Sequence, residues 1–340
     1  PRAQHRGPTL ARRLAALVAL VALPLLGLAA WSVWAAQGGV REQAERALLE
    51  RVQGIALALE REFDRAEVLL QALAASAALG RGDLGAMDEE MRAASRAVGG
   101  LPVTLIGTDG TILLSTLRAR GDLQEGVPAP EEARRLLAEG RIQVTNLFEA
   151  PLSGLLTVSV AVPLRAVPEA GEAARRTAAG IGLSFPRERF AELLREASGL
   201  GAEDMAAGWT ASMLDRRGVS VARSGGEEGV VGRPARPEIA RLLETGRTGV
   251  LHGLTTREGM PVITAILRGQ RSGYGYVMTM PRAAFAAPLR TMLLRTVLVG
   301  GAVLAVGFGL AVLLARRTVG AFRAVREAAT SRVPPPPTGL

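Results

Sequence analysis

Residues 212–224 read SMLDRRGVSVARS, and residues 104–116 read TLIGTDGTILLST. Each is an apolar run, a polar turn closed by glycine, and a second apolar run, the pattern of a β-hairpin. Gly110 and Gly218 stand 108 positions apart. Working outward, two more landmarks recur in the same order. RLLAEGR at 135–141 matches RLLETGR at 241–247, an offset of 106. LSFPRERF at 183–190 matches MTMPRAAF at 278–285, an offset of 95. Three matches in one order predict a duplicated unit. The fall from 106 to 95 places extra residues in the first copy. RAVPEAGEAARRT at 165–177 is polar and aperiodic, and reads as a loop inserted between two strands.

The remaining pattern agrees with two α+β units. Short helices are expected at 131–141 and 237–247, and strands at 154–164, 179–186, 261–268 and 273–281. Ahead of them, Leu48, Val52, Ile55, Leu59, Phe63, Leu69, Leu70 and Leu73 recur at helical spacing, with Glu42 and Arg46 one turn apart on the other face. GRGDLG at 80–85 breaks this helix, and a second helix ends on Gly99-Gly100. Each unit closes with a strand, Pro-Arg and a helix, at 188–198 and 283–294.

Two uncharged runs flank this region, LAALVALVALPLLGLAAWSVWAA at 14–36 and TVLVGGAVLAVGFGLAVLLA at 296–315. At 1.5 Å per residue each is long enough to cross a hydrocarbon core. The first exceeds the h-region of a cleaved signal peptide and reads as an anchor. The net charge of +9 and the pI of about 11.2 would suggest nucleic acid if the charge were spread evenly. It is not: residues 37–290 carry 31 Arg against 31 Asp and Glu. The excess lies at Arg2, Arg6, Arg12 and Arg13, and again at Arg316, Arg317, Arg323, Arg326 and Arg332. This excludes a nucleic-acid partner and, by the positive-inside rule, predicts a two-pass protein of a bacterial plasma membrane. Both termini are then cytoplasmic and residues 37–290 outside. The Pro start and the SRVPPPPTGL end suggest the front part of a longer protein.

Chemistry is sparse. The chain has no Cys and two His, His5 and His252, which excludes disulfides and a His-rich metal site. A Ser/His/Asp arrangement would have to recruit His252. GTDG and SGGEEG lack P-loop spacing, and Asp88-Glu89-Glu90 reads as a solvated helix face. No catalytic residue, metal or cofactor is expected, and the chain is not expected to be an enzyme.

The sequence of two spans, a long helix and two tandem units resembles the double Cache sensor region of bacterial transmembrane receptors. The resemblance covers about residues 40–290 and is carried most by LDRRGVSVARS, VVGRPA, GVLHGLTTREGMPVITAILR and GYGYVMTMPRAAFAAPLR. The tail ARRTVGAFRAVREAATSRVPPPPTGL resembles the linker ahead of the transmitter in sensor histidine kinases. The resemblance implies an α+β fold in which a long N-terminal helix carries two PAS-like antiparallel-sheet units between two transmembrane helices. The parts are a cytoplasmic N-terminus (1–13), a first span (14–36), the exit helices (37–100), a membrane-distal unit (101–198), a membrane-proximal unit (199–294), a second span (295–315) and a cytoplasmic linker (316–340).

It also implies sensing of a small ligand outside the cell, an organic acid among the candidates. Partners would be a second copy of the chain and, through an absent output domain, a response regulator. A chemoreceptor or diguanylate cyclase output, or a membrane-anchored interaction protein without ligand, are the alternatives. PAS-like sheets bind beneath the loop after the hairpin. That singles out Ser115, Thr116, Arg118 and Arg120, with Asn146, Thr157 and Ser159 on neighbouring segments, and Arg223 in the second unit. Arg118 and Arg120 are the pair suited to a carboxylate. The first unit, 101–190, contains no Trp or Tyr.

Overall fold

A computed structural model describes residues 10–120, 126–225, 229–256, 259–284, 291, 294–303, 305–307, 309, 310 and 313. Within 10–41 it describes backbone and, Trp31 apart, no side chains. The fold divides into two compact units, Pro1–Gln43 with Ala286–Leu340, and Ala44–Phe285. The second unit is α+β and contains both sheets.

Helix α1 (Leu10–Ala74) is 65 residues long. Its buried side chains Leu48, Val52, Ile55, Leu59, Phe63 and Leu70 recur three, four or seven apart, which keeps one stripe on one face. The first break comes at residues 75–76, earlier than the glycines at 80–85 suggest. There Ser76 caps α2 (Ala77–Arg81), its Oγ accepting from the Leu79 N–H at 3.2 Å. Asp83 likewise caps α3 (Leu84–Ala97), accepting from the Ala86 N–H at 3.0 Å.

The first sheet follows: β1 (Val103–Gly107), β2 (Ile112–Ser115), α4 (Glu131–Glu139), β3 (Gln143–Val144), β4 (Phe148–Glu149), β5 (Leu156–Pro163), α5 (Glu172–Thr177) and β6 (Ala178–Pro186). Helices α6 (Arg187–Ser198) and α7 (Ala202–Ala206) lead to β7 (Thr210–Leu214), β8 (Ser220–Arg223), α8 (Pro237–Glu244), β9 (Gly249–Thr255), β10 (Pro261–Arg268) and β11 (Gly275–Pro281). The strand orders are β2-β1-β6-β5-β3, with β4 also on β5, and β8-β7-β11-β10-β9. Every described pairing is antiparallel. The two sheets thus share one topology. The strands β3, β4 and β9 escaped the sequence reading, because two-residue strands and the half-buried run GVLHGLT carry no clear alternation.

The likeness of the hairpins extends to single bonds. The Gly107 N–H donates to the Thr111 carbonyl and the Asp215 N–H to the Val219 carbonyl, both at 2.8 Å. Ala129 N–H meets the Gly110 carbonyl as Ala235 N–H meets that of Gly218. Both strand pairs shift register at the same place, between Leu105 and Ile106 and between Met213 and Leu214. Gly110 and Gly218 have φ of 81° and 74°, in the left-handed region where a Cβ is costly. The copies differ in which acid stabilises the turn. In the first, Asp109 accepts from the Thr111 N–H and hydroxyl, bonds that hold its carboxyl below the usual range. In the second, Asp215 accepts from the Arg217 and Val219 N–H groups, each at 2.9 Å.

Residues 165–177 are not a plain loop. They form a 3₁₀ turn (Leu164–Ala166) and α5, which packs on α2. Val167 and Ala170 in the connecting turn and Ala174 on α5 are buried, so mostly small side chains anchor this segment where a search for large apolar residues misses them.

One hydrophobic cluster joins α1, both sheets and α6. At its centre the Phe63 ring lies 5.9 Å from Phe185, 5.7 Å from Phe190 and 5.8 Å from Tyr274. Each such aromatic pair adds about 0.5–1.5 kcal/mol beyond burial. Among the described residues no helix is long and apolar enough to cross a membrane. The span expected at 14–36 falls almost wholly on side chains outside those described, and within that expected at 295–315 residues 304, 308, 311, 312, 314 and 315 lie outside the described residues. Of the expected exit helix at 283–294, residues 283 and 284 are helical and 285–290 lie outside the described residues.

Candidate functional site

In the first sheet, alternate residues face opposite ways. Val103, Leu105, Val158, Val160, Leu183 and Phe185 face the α1 core. Their neighbours Thr104, Thr157, Ser159, Gly182 and Ser184 face the other side, beneath α4 and the segment 148–155. Beneath that cover lies a partly open cavity of about 340 Å³. Its floor is hydroxyl-rich. Ser159 Oγ and Ser184 Oγ are 2.8 Å apart, and Thr157 Oγ1 donates to the Leu155 carbonyl at 3.1 Å. Its walls are apolar, with Ile106, Ile112, Leu117, Leu137, Phe148 and Leu152 among them. No charged side chain lines it among the described residues. Gly180 lets α4 approach: a Cβ there would stand 2.8 Å from the Val162 carbonyl and inside the Leu137 side chain.

The structure brings two of the expected residues, Thr157 and Ser159, into this cavity, together with Thr104 and Ser184. The others lie elsewhere. Ser115 is buried on β2, its Oγ accepting from the Leu117 N–H, and Thr116 Oγ1 accepts from the Val103 N–H at 3.0 Å. Both finish the hairpin. Beyond Ser115 the chain turns toward α3. There Arg92 donates to the Thr116 and Arg118 carbonyls, and Arg120 pairs with Glu89 on the exposed surface. Arg118 and Arg120 therefore do not line the cavity, and the organic-acid expectation built on them loses its geometric basis. Thr104 and Ser184 were missed because their facing depends on long-range register, Thr104 opposite Gly182 and Ser184 opposite Ser159.

Asn146 belongs to a contact between the sheets. It is buried, and its Nδ2 donates to Glu132 Oε1 at 2.6 Å, while Arg216 of the second hairpin lies 3.6 Å from the same oxygen. Beside it the Leu147 N–H donates to Asp215 Oδ2 at 3.2 Å, and Arg217 Nη2 donates to the Leu147 carbonyl at 2.9 Å. The Tyr274 hydroxyl donates to the Thr145 carbonyl. Burial, and then the charge of Asp215, raise the Tyr274 phenol well above its ordinary pKa. A turn of the second sheet is thus bonded directly to the strand edge that bounds the first cavity.

Arg223 lies on β8, at a smaller cavity of about 110 Å³ on the outer face of the second sheet. Among the described residues no group of three or more His, Asp or Glu could hold a metal ion.

No protein-family model and no curated protein matches the chain. Solved structures with a similar fold include the ligand-binding domain of the Campylobacter jejuni chemoreceptor Tlp3 in complex with 4-methylisoleucine. It is 13% identical, with a TM-score of 0.53 over 72% of this chain and 94% of that one. The periplasmic sensory domain of the Campylobacter jejuni chemoreceptor Tlp1 is 14% identical, with a TM-score of 0.52 over 73% and 99%. The extracellular domain of a protein described as a histidine kinase, mmHK1S-Z3, is 14% identical, with a TM-score of 0.51 over 76% and 98%. At these identities the likeness is one of fold.

Proposed function

We propose that the chain is the sensory input region of a bacterial transmembrane receptor of the double Cache type, and that the first sheet binds a small, neutral, largely apolar molecule. The cavity beneath α4 carries this reading. A pocket with apolar walls and a few convergent hydroxyls is the usual form of a small-molecule site. The absence of charged lining among the described residues favours a neutral ligand over an organic acid, because a carboxylate would be desolvated there without a cation.

The likeness to sensory domains of chemoreceptors and of a histidine kinase supports sensing. Large apolar side chains exposed on the helical residues 294–303, such as Leu294, Val297, Leu298 and Val303, support a lipid-facing second span. With the terminal arginines they support two passes through the inner membrane, residues 37–290 outside, and both termini in the cytoplasm. In this reading the first unit is membrane-distal and the second membrane-proximal. A homodimer passes ligand-dependent shifts of α1 and the C-terminal helix to a histidine kinase transmitter and its response regulator. The chemoreceptor relatives favour a chemotaxis output as the second reading.

The test is thermal unfolding of the 340-residue chain in detergent against small alcohols, ketones, amides and lactones, with organic acids alongside. A ligand at 100 times its Kd stabilises by about 2.7 kcal/mol. Neutral compounds should raise Tm, and Ser184→Leu, which fills the cavity floor, should abolish the rise. If no neutral compound stabilises the chain, or the filled variant responds equally, the proposal fails.

A further inference from the structure

The two sheets have matching floors. Ser159 pairs with Ser184 in the first and Thr264 with Thr279 in the second, and the hydroxyls of each pair meet, at 2.8 Å and 3.4 Å. Thr104 on β1 corresponds to Ser212 on β7, opposite Ser115 and Arg223 respectively. Around this common floor the residues at matching positions differ. Ile112 of the first hairpin is replaced by Ser220, and Ser115 by Arg223. The Ile112 N–H donates to the Val127 carbonyl at 2.8 Å, and the Ser220 N–H to that of Arg233 at 2.9 Å, so Val127 is replaced by Arg233. Pro130, which precedes α4, is replaced by Arg236, which precedes α8.

Ser220, Arg223, Arg233 and Arg236 all line the 110 Å³ cavity. Arg236 is held there by donating from Nη2 to the Thr256 carbonyl at 2.8 Å. Ser220 is 3% exposed, and its Oγ has no hydrogen-bond partner among the described residues. Buried hydroxyls are normally satisfied, so an orphan at a cavity marks a place for an acceptor. No carboxylate lines the cavity among the described residues, and the opposite wall is apolar, with Val230, Ile239, Leu254 and Val262.

We propose that the outer face of the second sheet binds a small aliphatic carboxylate. The carboxylate oxygens accept from Arg233, Arg236 and Ser220, and the short tail lies on the apolar wall. Guanidinium groups suit a carboxylate because they can offer two parallel N–H donors. The apolar wall distinguishes this ligand from inorganic phosphate. The site stands apart from the neutral cavity of the first sheet, and the receptor would then read two different chemistries.

The experiment is titration calorimetry on the 340-residue chain in detergent at fixed ionic strength, with acetate, propionate, butyrate and inorganic phosphate. Saturable binding of propionate or butyrate is expected. Arg233→Gln should weaken it by about tenfold or more, the loss of one charge-assisted contact. Ser220→Ala should also weaken it, while leaving the Tm of the unliganded chain unchanged or higher, since its hydroxyl makes no bond to lose. Thr157→Val in the first cavity should leave carboxylate affinity unchanged, which separates this result from the fate of the neutral-ligand reading. Absence of saturable binding, phosphate binding in preference to carboxylates, or carboxylate binding indifferent to both second-sheet variants would each overturn the proposal.

Discussion

Asp215→Ala is the perturbation whose cost the structure defines best. The Asp215 carboxylate is 0% exposed and accepts from three backbone N–H groups, Leu147 at 3.2 Å and Arg217 and Val219 at 2.9 Å. Arg217 also pairs with it at 3.3 Å, but that guanidinium is 56% exposed and can turn to water. The Arg217 N–H lies in an exposed turn and can be hydrated too. The Leu147 N–H has no such recourse, because Leu147 is 7% exposed. Hydrogen bonds to a charged group contribute about 1.5–3 kcal/mol each, and an orphaned buried donor costs about 1–3 kcal/mol. Counting Leu147 and Val219 fully and Arg217 hardly at all, the expected loss is about 3–6 kcal/mol. For a unit of this size, 1 kcal/mol shifts Tm by about 2–4 °C, so Tm should fall by about 6–24 °C. Asp215→Asn should lose less, because one oxygen remains for the turn, while its NH₂ faces the Leu147 N–H as donor against donor. Circular dichroism melts of the full chain in detergent measure both variants. A fall of less than about 3 °C for Asp215→Ala would refute the claim that this carboxylate bonds the hairpin to the first sheet.

Three further outcomes follow from the packing. Phe63→Ala removes the ring shared by Phe185, Phe190 and Tyr274, and should cost about 3–5 kcal/mol in a urea melt. Gly180→Ala places a methyl against the Val162 carbonyl and Leu137, and overpacking of that kind should cost about 1–3 kcal/mol and reduce binding of any neutral ligand, read by the same melts with and without ligand. Burial raises the phenols of Tyr274 and Tyr276 well above their ordinary value, with Asp215 and Glu60 adding to the rise. A raised folded pKa gives stability that is complete below the unfolded value of about 10 and is lost as pH climbs through the folded one. The chain should therefore hold its Tm from pH 8 to about 10 and lose it steeply above, and Tyr276→Phe should soften the slope.

The sequence made the hairpins legible because glycine at a positive φ and the flanking apolar runs are local signals. The α1 stripe was legible for the same reason, since helical spacing is read within one element. Arg118 and Arg120 misled because a charge three or five residues past a strand says nothing of where the chain turns next. Here it turns to α3, and Arg92 holds two of its carbonyls. Ser159 was recognised as polar in an apolar strand, but its partner Ser184 is 25 residues away, and only the β5–β6 register brings them together. The cationic lining of the second cavity was legible only at Arg223. Arg233 and Arg236 follow a glycine-rich stretch and gain meaning from their match to Val127 and Pro130.

The four central rings come from different parentage. Phe63 belongs to α1, Phe185 and Phe190 to the end of the first copy, and Tyr274 to the second. A tandem duplication ordinarily leaves two modules that can be shuffled, deleted or grafted one at a time. Here either copy, removed from the other, would leave the aromatic cluster incomplete and open to solvent. The duplicated halves have become a single heritable unit, and a chimaera that exchanges one sheet must bring its share of those rings or forfeit the fold.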